Sequence, residues 1–226
     1  MDKFDVLSRY FGYTAFRKGQ EEVVDCLLSG GDSLAIMPTG AGKSVCYQVP
    51  AIMLSGITIV ISPLISLMKD QVNALVQQGI KAAYINRSLT DSQYARVLKN
   101  AVFGAYKIIY VAPERLDSSD FTNLCRKIKI SMVAVDEAHC VSQWGQDFRP
   151  SYLNVNKFIS KLSKRPIIGA FTATATDEVK NDIINILKLN NPKVVTTGFD
   201  RPNLFFSVLR PEKKDSKLIS LLKERS

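Results

Sequence analysis

Short apolar runs of strand length alternate with helical patterns along most of the chain. This alternation predicts βα units around a largely parallel sheet, because a parallel strand pair needs a crossover helix between its members. Two of the runs, 57–61 and 130–135, are almost continuously apolar, as expected of strands covered by helices on both faces. The predicted strands are 33–37, 57–61, 82–85, 107–111, 130–135, 167–171 and 194–197. The pattern therefore predicts an α/β fold with a mostly parallel sheet and helices on both faces.

Helical patterns fill the intervals between these strands. The predicted helices that run into a glycine are 19–28, 64–78 and 90–103. Thr90 and Gln93 form a capping-box pattern at the start of the third. A later helix is predicted from about Thr176, with two acidic residues in its first turn, where the helix dipole favours negative charge. Near the end of the chain, 198–203 predicts a turn and 211–226 predicts a lysine-rich helix.

The composition is that of a folded protein, with 46% hydrophobic and 23% charged residues. No apolar run approaches the roughly 18 residues that would cross a bilayer, and the acidic start lacks a signal-peptide pattern. We therefore expect a cytoplasmic protein without a membrane partner. The cysteines at 26, 46, 125 and 140 are widely spaced and predict free thiols rather than a zinc site.

The chain carries 30 Lys and Arg against 21 Asp and Glu, a net charge of +9. This excess is compatible with a polyanionic partner such as nucleic acid. It is equally compatible with a lysine-rich, solvated surface, so charge alone leaves both interpretations open.

A glycine-rich segment follows the predicted strand 33–37 and leads into a helical pattern. Strand, loop and helix are the context of a phosphate-binding loop, in which backbone N–H groups and the helix N-terminus hold phosphate oxygens. The pattern G-x-x-x-x-G-K-[ST] is incomplete, since Met37 stands at its first position. The alternative is a glycine-rich turn with an incidental lysine. The candidate nucleotide-binding residues here are Pro38, Thr39, Gly40, Ala41, Gly42, Lys43 and Ser44.

The predicted strand 130–135 ends in an acidic pair, Asp136 and Glu137. Ligands of parallel sheets lie at the carboxyl ends of strands, so both carboxylates should face the phosphate loop. Asp136, together with the Ser44 hydroxyl, is placed to hold Mg²⁺, and Glu137 to orient and deprotonate an attacking water. Lys43, Asp136 and Glu137 are thus the predicted catalytic residues of an ATP site. The alternative is two acidic residues that open a helix.

His139 is the only histidine of the chain. A lone histidine is more often structural than catalytic. Its position two residues after Glu137, at the start of an unusual loop, favours a role that couples the ATP site to whatever the loop contacts. Proton transfer is the weaker alternative.

Together these segments resemble the RecQ family of DNA helicases, in superfamily 2. Segment 10–20 is similar to the family's N-terminal motif, and the resemblance implies that Tyr13, Arg17 and Gln20 hold adenine. An aromatic face and a guanidinium can stack on a purine, and a Gln amide can pair with the adenine edge. Read alone, the same segment could be a helix start with core aromatics.

Segment 139–150 is similar to the aromatic-rich loop of RecQ helicases. Trp144 and Phe148 could stack on unpaired bases and Arg149 could meet phosphate, although an aromatic pair buried under a loop is the alternative. Segment 62–71 resembles helicase motif Ia, segment 110–116 resembles the motif that follows Ia, and segment 170–175 resembles motif III. The residues assigned to DNA binding or coupling are His139, Gln143, Trp144, Asp147, Phe148, Arg149, Thr172 and Thr174.

The resemblance spans about residues 4–208 and implies that 1–208 form the first RecA-like domain, with Walker A at 37–44 and a DEAH box at 136–139. Residues 209–226 would be a linker and the start of a second RecA-like domain. That second domain would supply an arginine finger, which is worth about 10³–10⁵ in rate, so this chain alone should bind nucleotide yet scarcely turn it over.

The implied function is ATP-dependent 3′ to 5′ DNA unwinding in repair and recombination, with ATP and Mg²⁺ as cofactors. Single-stranded and partly duplex DNA and the second RecA-like domain are the implied partners, and a bacterial protein would be nucleoid-associated. Two alternatives stay open. One is an RNA helicase of the DEAD/DEAH type, and the other is a nucleotide-dependent nucleic-acid-binding module without turnover.

Overall fold

The computed structural model describes residues 1–198, 204 and 207–223. Seven parallel strands form one sheet in the order β3-β4-β2-β5-β6-β1-β7. The strands are β1 Ser33–Ile36, β2 Ile57–Ile61, β3 Ala82–Ile85, β4 Ile108–Val111, β5 Ile130–Val135, β6 Ile167–Thr172 and β7 Lys193–Thr196. All seven predicted strands are present, and their ends differ from the predicted ones by at most one residue.

Helices occupy the connections between the strands. In the described ranges they are α1 Lys3–Phe11, α2 Gln20–Leu28, α3 Lys43–Met53, α4 Ile65–Gln77, α5 Asp91–Val102, α6 Ser119–Lys127, α7 Asn154–Ser160, α8 Asp177–Ile186 and α9 Lys214–Lys223. The capping box of Thr90 and Gln93 is formed at α5. The sequence pattern did not predict α1, α6 or α7. The seven residues of α7 give few repeats of a helical period.

Helices cover both faces of the sheet, as the apolar strands predicted. Along β1, Leu34 and Ile36 belong to one buried cluster, whereas Ala35 belongs to the other. Because side chains alternate across a strand, the two clusters lie on opposite faces. Each face of β1 is therefore packed, and its carboxyl end is the part left for a ligand.

The strand order places β6 between β1 and β5. The loops that follow these three strands therefore lie side by side at the carboxyl edge of the sheet. The backbone N–H of Met37, after β1, donates to the carbonyl of Thr172 at the end of β6 at 3.0 Å. The sequence pattern predicted these three strands but not their order.

The last part of the chain contains α9, which is shorter than the predicted helix 211–226. Leu218, Ile219 and Leu222 of α9 are exposed. Apart from Gly198, the predicted turn 198–203 falls outside the described residues, as do residues 224–226. Among the described helices, none has the length and apolar character needed to span a membrane.

Candidate nucleotide-binding site

The predicted phosphate loop joins β1 to α3. Gly40 and Gly42 have φ values of 83° and 82°, which are left-handed conformations that glycine adopts without strain. A Cβ on Gly42 would also lie 2.5 Å from Gln20 Nε2, so this glycine is required twice over. The loop turns sharply, and α3 begins directly after it at Lys43. Its backbone is therefore shaped to close around phosphate oxygens.

Met37 explains why the incomplete motif still forms the loop. Its side chain is fully buried, and its φ is not positive, so glycine is not needed there. The carbonyl of Met37 accepts a hydrogen bond from Lys43 Nζ at 3.0 Å. The first motif position is thus occupied by a buried residue that directly follows β1.

Two residues of segment 10–20 hold the phosphate loop directly. Arg17 Nη1 donates to the carbonyl of Gly40 at 2.7 Å. Gln20 Nε2 donates to the carbonyls of Ala41 and Gly42 at 3.0 and 3.1 Å, while its Oε1 accepts from the Arg17 N–H at 2.8 Å. Every polar atom of the Gln20 amide group is therefore engaged by protein. The adenine contacts of this segment stay a prediction, and its observed contacts support the loop.

Tyr13 occupies a different environment from its two partners. Its ring is 48% exposed, and the Arg17 guanidinium carbon lies 5.8 Å from the ring centroid. A half-exposed ring next to a guanidinium offers a stacking surface for a planar ligand. Tyr13 is thus the residue of this segment with a face free for such a ligand.

The acidic pair lies at the carboxyl end of β5. Asp136 is buried, its backbone N–H donates to the carbonyl of Ile61 at 2.8 Å, and its Oδ1 accepts from the Glu137 N–H at 3.1 Å. Burial, and then the nearby charge of Glu137, raise the pKa of Asp136 from 3.8 to about 6. A divalent cation would relieve both effects. The pair of hard oxygen donors, Asp136 and the Ser44 hydroxyl, fits Mg²⁺.

Glu137 has a left-handed backbone, with φ 48° and ψ 47°. Such a conformation is uncommon for a residue with a side chain and often occurs at functional sites. Here it turns the chain out of β5 and into the short 3-10 helix Ala138–Val141. The Glu137 side chain consequently lines the same cleft as Lys43.

His139 links the acidic pair to β6. Its Nδ1 lies 2.9 Å from Thr172 Oγ1 and 3.4 Å from Glu137 Oε2. The Thr172 hydroxyl already donates to the carbonyl of Thr174 at 3.0 Å, so it must accept from the histidine. This assigns the proton to Nδ1 of the imidazole. The structure thus brings Glu137, His139 and Thr172 together at the carboxyl ends of β5 and β6.

The aromatic-rich loop folds back on its own first residue, His139. A Cβ on Gly145 would overlap the carbonyl oxygen of His139, so only glycine fits there. Trp144 is 80% exposed, and its backbone N–H donates to Ser142 Oγ at 3.1 Å. Ser142 Oγ in turn donates to Asp182 Oδ2 at 2.6 Å. The loop therefore presents an exposed indole from an anchored backbone, which excludes a buried aromatic pair for Trp144.

Arg149 makes protein contacts within this loop. Its guanidinium binds Asp147 Oδ2 through Nε and Nη2 at 2.9 and 2.8 Å, and Nη1 donates to the carbonyl of Pro63 at 3.1 Å. Phe148 is half-buried and Gln143 is exposed. Arg149 thus joins the aromatic-rich loop to the segment after β2, and its contact with phosphate stays a prediction.

These elements surround one cleft of about 440 Å³. Its walls come from segment 10–20, the phosphate loop, the acidic pair and α4. The sequence analysis missed the cleft residues Ala15, Val45, Leu67 and Gln71. A signal existed for Gln71, since it lies in the motif Ia segment 62–71. The predicted Thr172 and Thr174 lie outside the cleft, beyond His139.

A buried polar network underlies the cleft. Gln48 Nε2 donates to Tyr110 Oη at 3.0 Å and to Gln71 Oε1 at 2.9 Å. Tyr110 Oη also lies 3.4 Å from Tyr47 Oη, and the Tyr47 hydroxyl interacts with the Ser44 side chain. Burial raises the pKa of Tyr110 to about 12, so its phenol stays neutral. The network connects α3, which carries Ser44, to α4.

Comparison with known proteins agrees with the nucleotide-binding geometry of the site. The DEAD/DEAH box helicase family model matches residues 17–182. The match covers more than half of the chain, which therefore belongs to the DEAD/DEAH box helicase family.

Individual relatives narrow the class. The ATP-dependent DNA helicase RecQ of Bacillus subtilis (strain 168) is 51% identical over 211 residues, which are 93% of this chain and 36% of that protein. The same-named helicase of Pasteurella multocida is 49% identical over 91% of this chain and 32% of its own. The RecQ-like DNA helicase BLM of Xenopus laevis is 40% identical over 92% of this chain and 16% of its own. The predicted resemblance to RecQ helicases is confirmed, and the chain spans about a third of the length of the bacterial relatives.

Solved structures confirm the RecA-like helicase fold. A hypothetical ATP-dependent RNA helicase from Sulfolobus tokodaii has a TM-score of 0.66 at 19% identity, over 86% of this chain and 56% of that one. The helicase domain of Pyrococcus furiosus Hef has a TM-score of 0.62 at 16% identity, over 80% of this chain and 38% of that one. At these identities the likeness concerns the fold alone.

Proposed function

We propose that residues 1–208 are the first RecA-like domain of a RecQ-type, ATP-dependent DNA helicase that unwinds DNA 3′ to 5′. The observation that carries this proposal is the single cleft shared by segment 10–20, the phosphate loop and the acidic pair. The identity to RecQ helicases over about nine-tenths of the chain supports the substrate class. Roles in repair and recombination follow from the same family.

The phosphates of ATP would lie in the loop 37–44. The loop leads directly into the N-terminus of α3, where the helix dipole favours negative charge. Lys43 Nζ, which bonds the loop carbonyl of Met37, would exchange this contact for the terminal phosphates. Arg17 and Gln20 bond to carbonyls of the phosphate loop from outside. Binding of adenine next to these two side chains would therefore affect the backbone of the loop.

Ser44 and Asp136 would hold Mg²⁺, which supplies charge neutralisation for the phosphates. Glu137 would orient the attacking water and accept its proton. His139, with its proton on Nδ1, stands beside the Glu137 carboxylate and limits where that side chain can point. Its bond to Thr172 ties the same position to β6 and to the segment after it.

The aromatic-rich loop would contact single-stranded DNA. Trp144 presents an exposed indole on which a base can stack, and such stacking does not depend on base identity. Gly145 packs on the His139 carbonyl, and His139 Nδ1 lies 3.4 Å from Glu137 Oε2, so movement of the loop would reach the acidic pair through His139. This contact is a physical route by which DNA engagement alters the position of Glu137.

A second RecA-like domain, begun in 209–226, would close over the cleft and add an arginine finger. Without that residue, hydrolysis should be slower by about 10³–10⁵. We therefore expect the 226-residue chain to bind nucleotide and single strands weakly and to hydrolyse ATP very slowly.

Titration of the chain with a fluorescent ATP analogue and Mg²⁺ tests the central claim. Lys43→Ala should lower the affinity at least about tenfold, since it removes a charge-assisted contact to phosphate. Lys157→Ala, which removes an exposed lysine away from the cleft, is the matched control. Equal binding by all three proteins would contradict the proposal.

An RNA helicase of the DEAD/DEAH type is the alternative enzyme. The likeness to the Sulfolobus tokodaii RNA helicase shows the fold only, whereas the 51% and 49% identical relatives are DNA helicases. ATPase assays of the complete enzyme with DNA or RNA separate the two. Stimulation by RNA alone would favour the alternative, and ATP binding without hydrolysis on either would favour a binding module.

A further inference from the structure

Basic residues form a row along the amino-terminal edge of the sheet, opposite the nucleotide cleft. Lys81, Lys107 and Lys129 each directly precede a strand, β3, β4 and β5 respectively. Lys81 and Lys107 precede adjacent strands, and the Lys107 N–H donates to the Lys81 carbonyl at 2.8 Å. β2 separates Lys107 from Lys129, whose carbonyl accepts from the first N–H of β2 at 2.9 Å. Arg165 continues the row two residues before β6.

Two adjoining hollows, of about 650 and 740 Å³, lie along this row. Lys127 and Lys129 line both and form the ridge between them. Lys164 lines the first hollow and Lys81 the second. Among the residues that the structure describes, no Asp or Glu lines either hollow, so the charged side chains that face an anion there are positive.

The charges of the surrounding loops also show that this edge is positive. The seven loops that lead into the strands contain seven basic residues and one acidic residue, a net charge of +6 in a chain whose total is +9. These loops are 29–32, 54–56, 78–81, 103–107, 128–129, 161–166 and 187–192. Asp32 pairs with Arg165, and Lys161 pairs with Asp117. Within the described residues, the other five lysines have no carboxylate at ion-pair distance.

The negative carboxyl ends of the helices offset only part of the positive charge of these loops. The seven helices α2–α8 end at this edge, and each carboxyl end carries about half a negative charge, or about 3.5 in all. The loops alone exceed that by more than two charges, and Arg126 and Lys127 add two more in the last turn of α6. An excess therefore remains for an external anion.

The spacing of the row suits a nucleic-acid backbone. From β3 to β6 there are four strand intervals of about 4.8 Å, or about 19 Å. Successive phosphates of one DNA strand advance about 3.4 Å along the duplex axis, so the row spans about five or six of them. The hydrogen bonds of Lys107 Nζ to the Leu54 carbonyl and of Lys129 Nζ to Ser55 Oγ hold two of the amines along the edge.

We propose that this row, the amino-edge basic row of Lys81, Lys107, Lys127, Lys129 and Lys164, binds the sugar-phosphate backbone of DNA, independently of nucleotide. It is a second DNA contact, on the opposite edge of the sheet from Trp144. Because its lysines contact phosphates and not base edges, the row binds DNA without regard to sequence.

Fluorescence anisotropy with labelled single-stranded and duplex DNA, without nucleotide, tests this at salt concentrations from about 50 to about 200 mM. The variant K127Q/K129Q/K164Q should lose at least about tenfold in affinity at the low end. Its salt slope should fall by about 2 to 3, close to one unit per lost phosphate contact. Whichever DNA form shows the larger loss is the preferred occupant.

The matched control is R96Q/K213Q/K214Q, which removes three exposed positive charges from other surfaces. It should change the slope by less than about 1, since general attraction is weaker than direct contact. Lysine acetylation with and without DNA supplies a positional readout, in which Lys127, Lys129 and Lys164 are protected and Lys214 is not. Equal slopes for the two triple variants, or protection that spares the row, would overturn the proposal. So would row-dependent binding to phosphatidylserine vesicles with row-independent binding to DNA.

Discussion

The two edges of the sheet differ in net charge and in the types of residue that they carry. At the carboxyl edge, the loops after β1–β6 contain three basic and five acidic residues, and Arg17, Lys18 and Lys43 bring that edge only to a net charge of +1. At the amino edge, the loops alone have a net charge of +6. The carboxyl edge instead contains the phosphate loop and the acidic pair, of which Asp136 is buried. The basic excess of the chain therefore does not mark the nucleotide site.

This difference teaches where each kind of chemistry has to be. Catalytic groups need fixed positions, which strand ends and helix N-termini provide through many hydrogen bonds. Binding to a polyanion needs charge more than geometry, and lysines on short loops supply it. Changes at the carboxyl edge should therefore have large effects on nucleotide chemistry or folding, and changes of the exposed lysines at the amino edge should affect neither.

The largest expected effect is that of Glu137→Gln. It removes the proposed general base while it keeps the shape of the side chain, so DNA-stimulated ATP hydrolysis by the complete enzyme should fall by about 10²–10⁴. Nucleotide affinity should be nearly unchanged. Steady-state ATPase and nucleotide titration measure the two quantities. Glu114→Gln, an exposed glutamate that does not line the cleft, is the control, and an equal loss in both variants would contradict the role of Glu137.

The next effect is a pH-dependent change in stability with Asp136→Asn. Because burial and Glu137 raise the pKa of Asp136 to about 6, the folded state holds the proton more tightly than the unfolded state does. The free energy of unfolding of the wild type should therefore fall as the pH rises from about 4 through about 6. At pH values above about 7 the variant, which has no such charge, should be more stable by about 2–3 kcal/mol.

Urea unfolding across this pH range, without divalent cations, measures that difference. The advantage of the variant should vanish below about pH 4, where both states of the wild type are protonated. Mg²⁺ with nucleotide should restore stability to the wild type and not to the variant. A stability difference that is the same at every pH would rule out the titration of Asp136 as its cause.

A smaller effect is expected from Tyr110→Phe, which cuts the buried network beneath the cleft. It leaves one amide hydrogen of Gln48 without its acceptor, and such a loss costs about 1–2 kcal/mol. Urea unfolding measures the cost. Tyr94→Phe removes a hydroxyl bonded to Ser118 in a part-buried position and should cost less than about 1 kcal/mol. Equal costs would show that the network adds nothing beyond an ordinary hydrogen bond.

The smallest effect on folding and nucleotide binding belongs to the amino edge. The triple variant K127Q/K129Q/K164Q should change the free energy of unfolding by no more than about 0.5 kcal/mol per substitution, since exposed charges contribute little. Nucleotide affinity should equal that of the wild type, since none of the three residues lines the cleft. Thermal unfolding and nucleotide titration check both, and a loss of nucleotide binding would show that the two edges are coupled.

The sequence alone determined the local units of this protein. Apolar runs set the seven strands, and the segment around Lys43 and the pair Asp136 and Glu137 were recognisable at strand ends. Such signals depend on residues a few positions apart, because strand, turn and helix propensities are local. Short helices such as α7 escaped detection for the same reason, since too few positions repeat.

Only the tertiary structure decided how those units meet. The insertion of β6 between β1 and β5 brings Thr172 to His139, and packing carries Gln20 onto the phosphate loop. The same packing places most of the excess charge at the edge away from the cleft. These outcomes depend on which strands pair, and pairing is set by burial across the whole sheet rather than by any one segment. The sequence thus named the parts of the nucleotide site, and the sheet order assembled them.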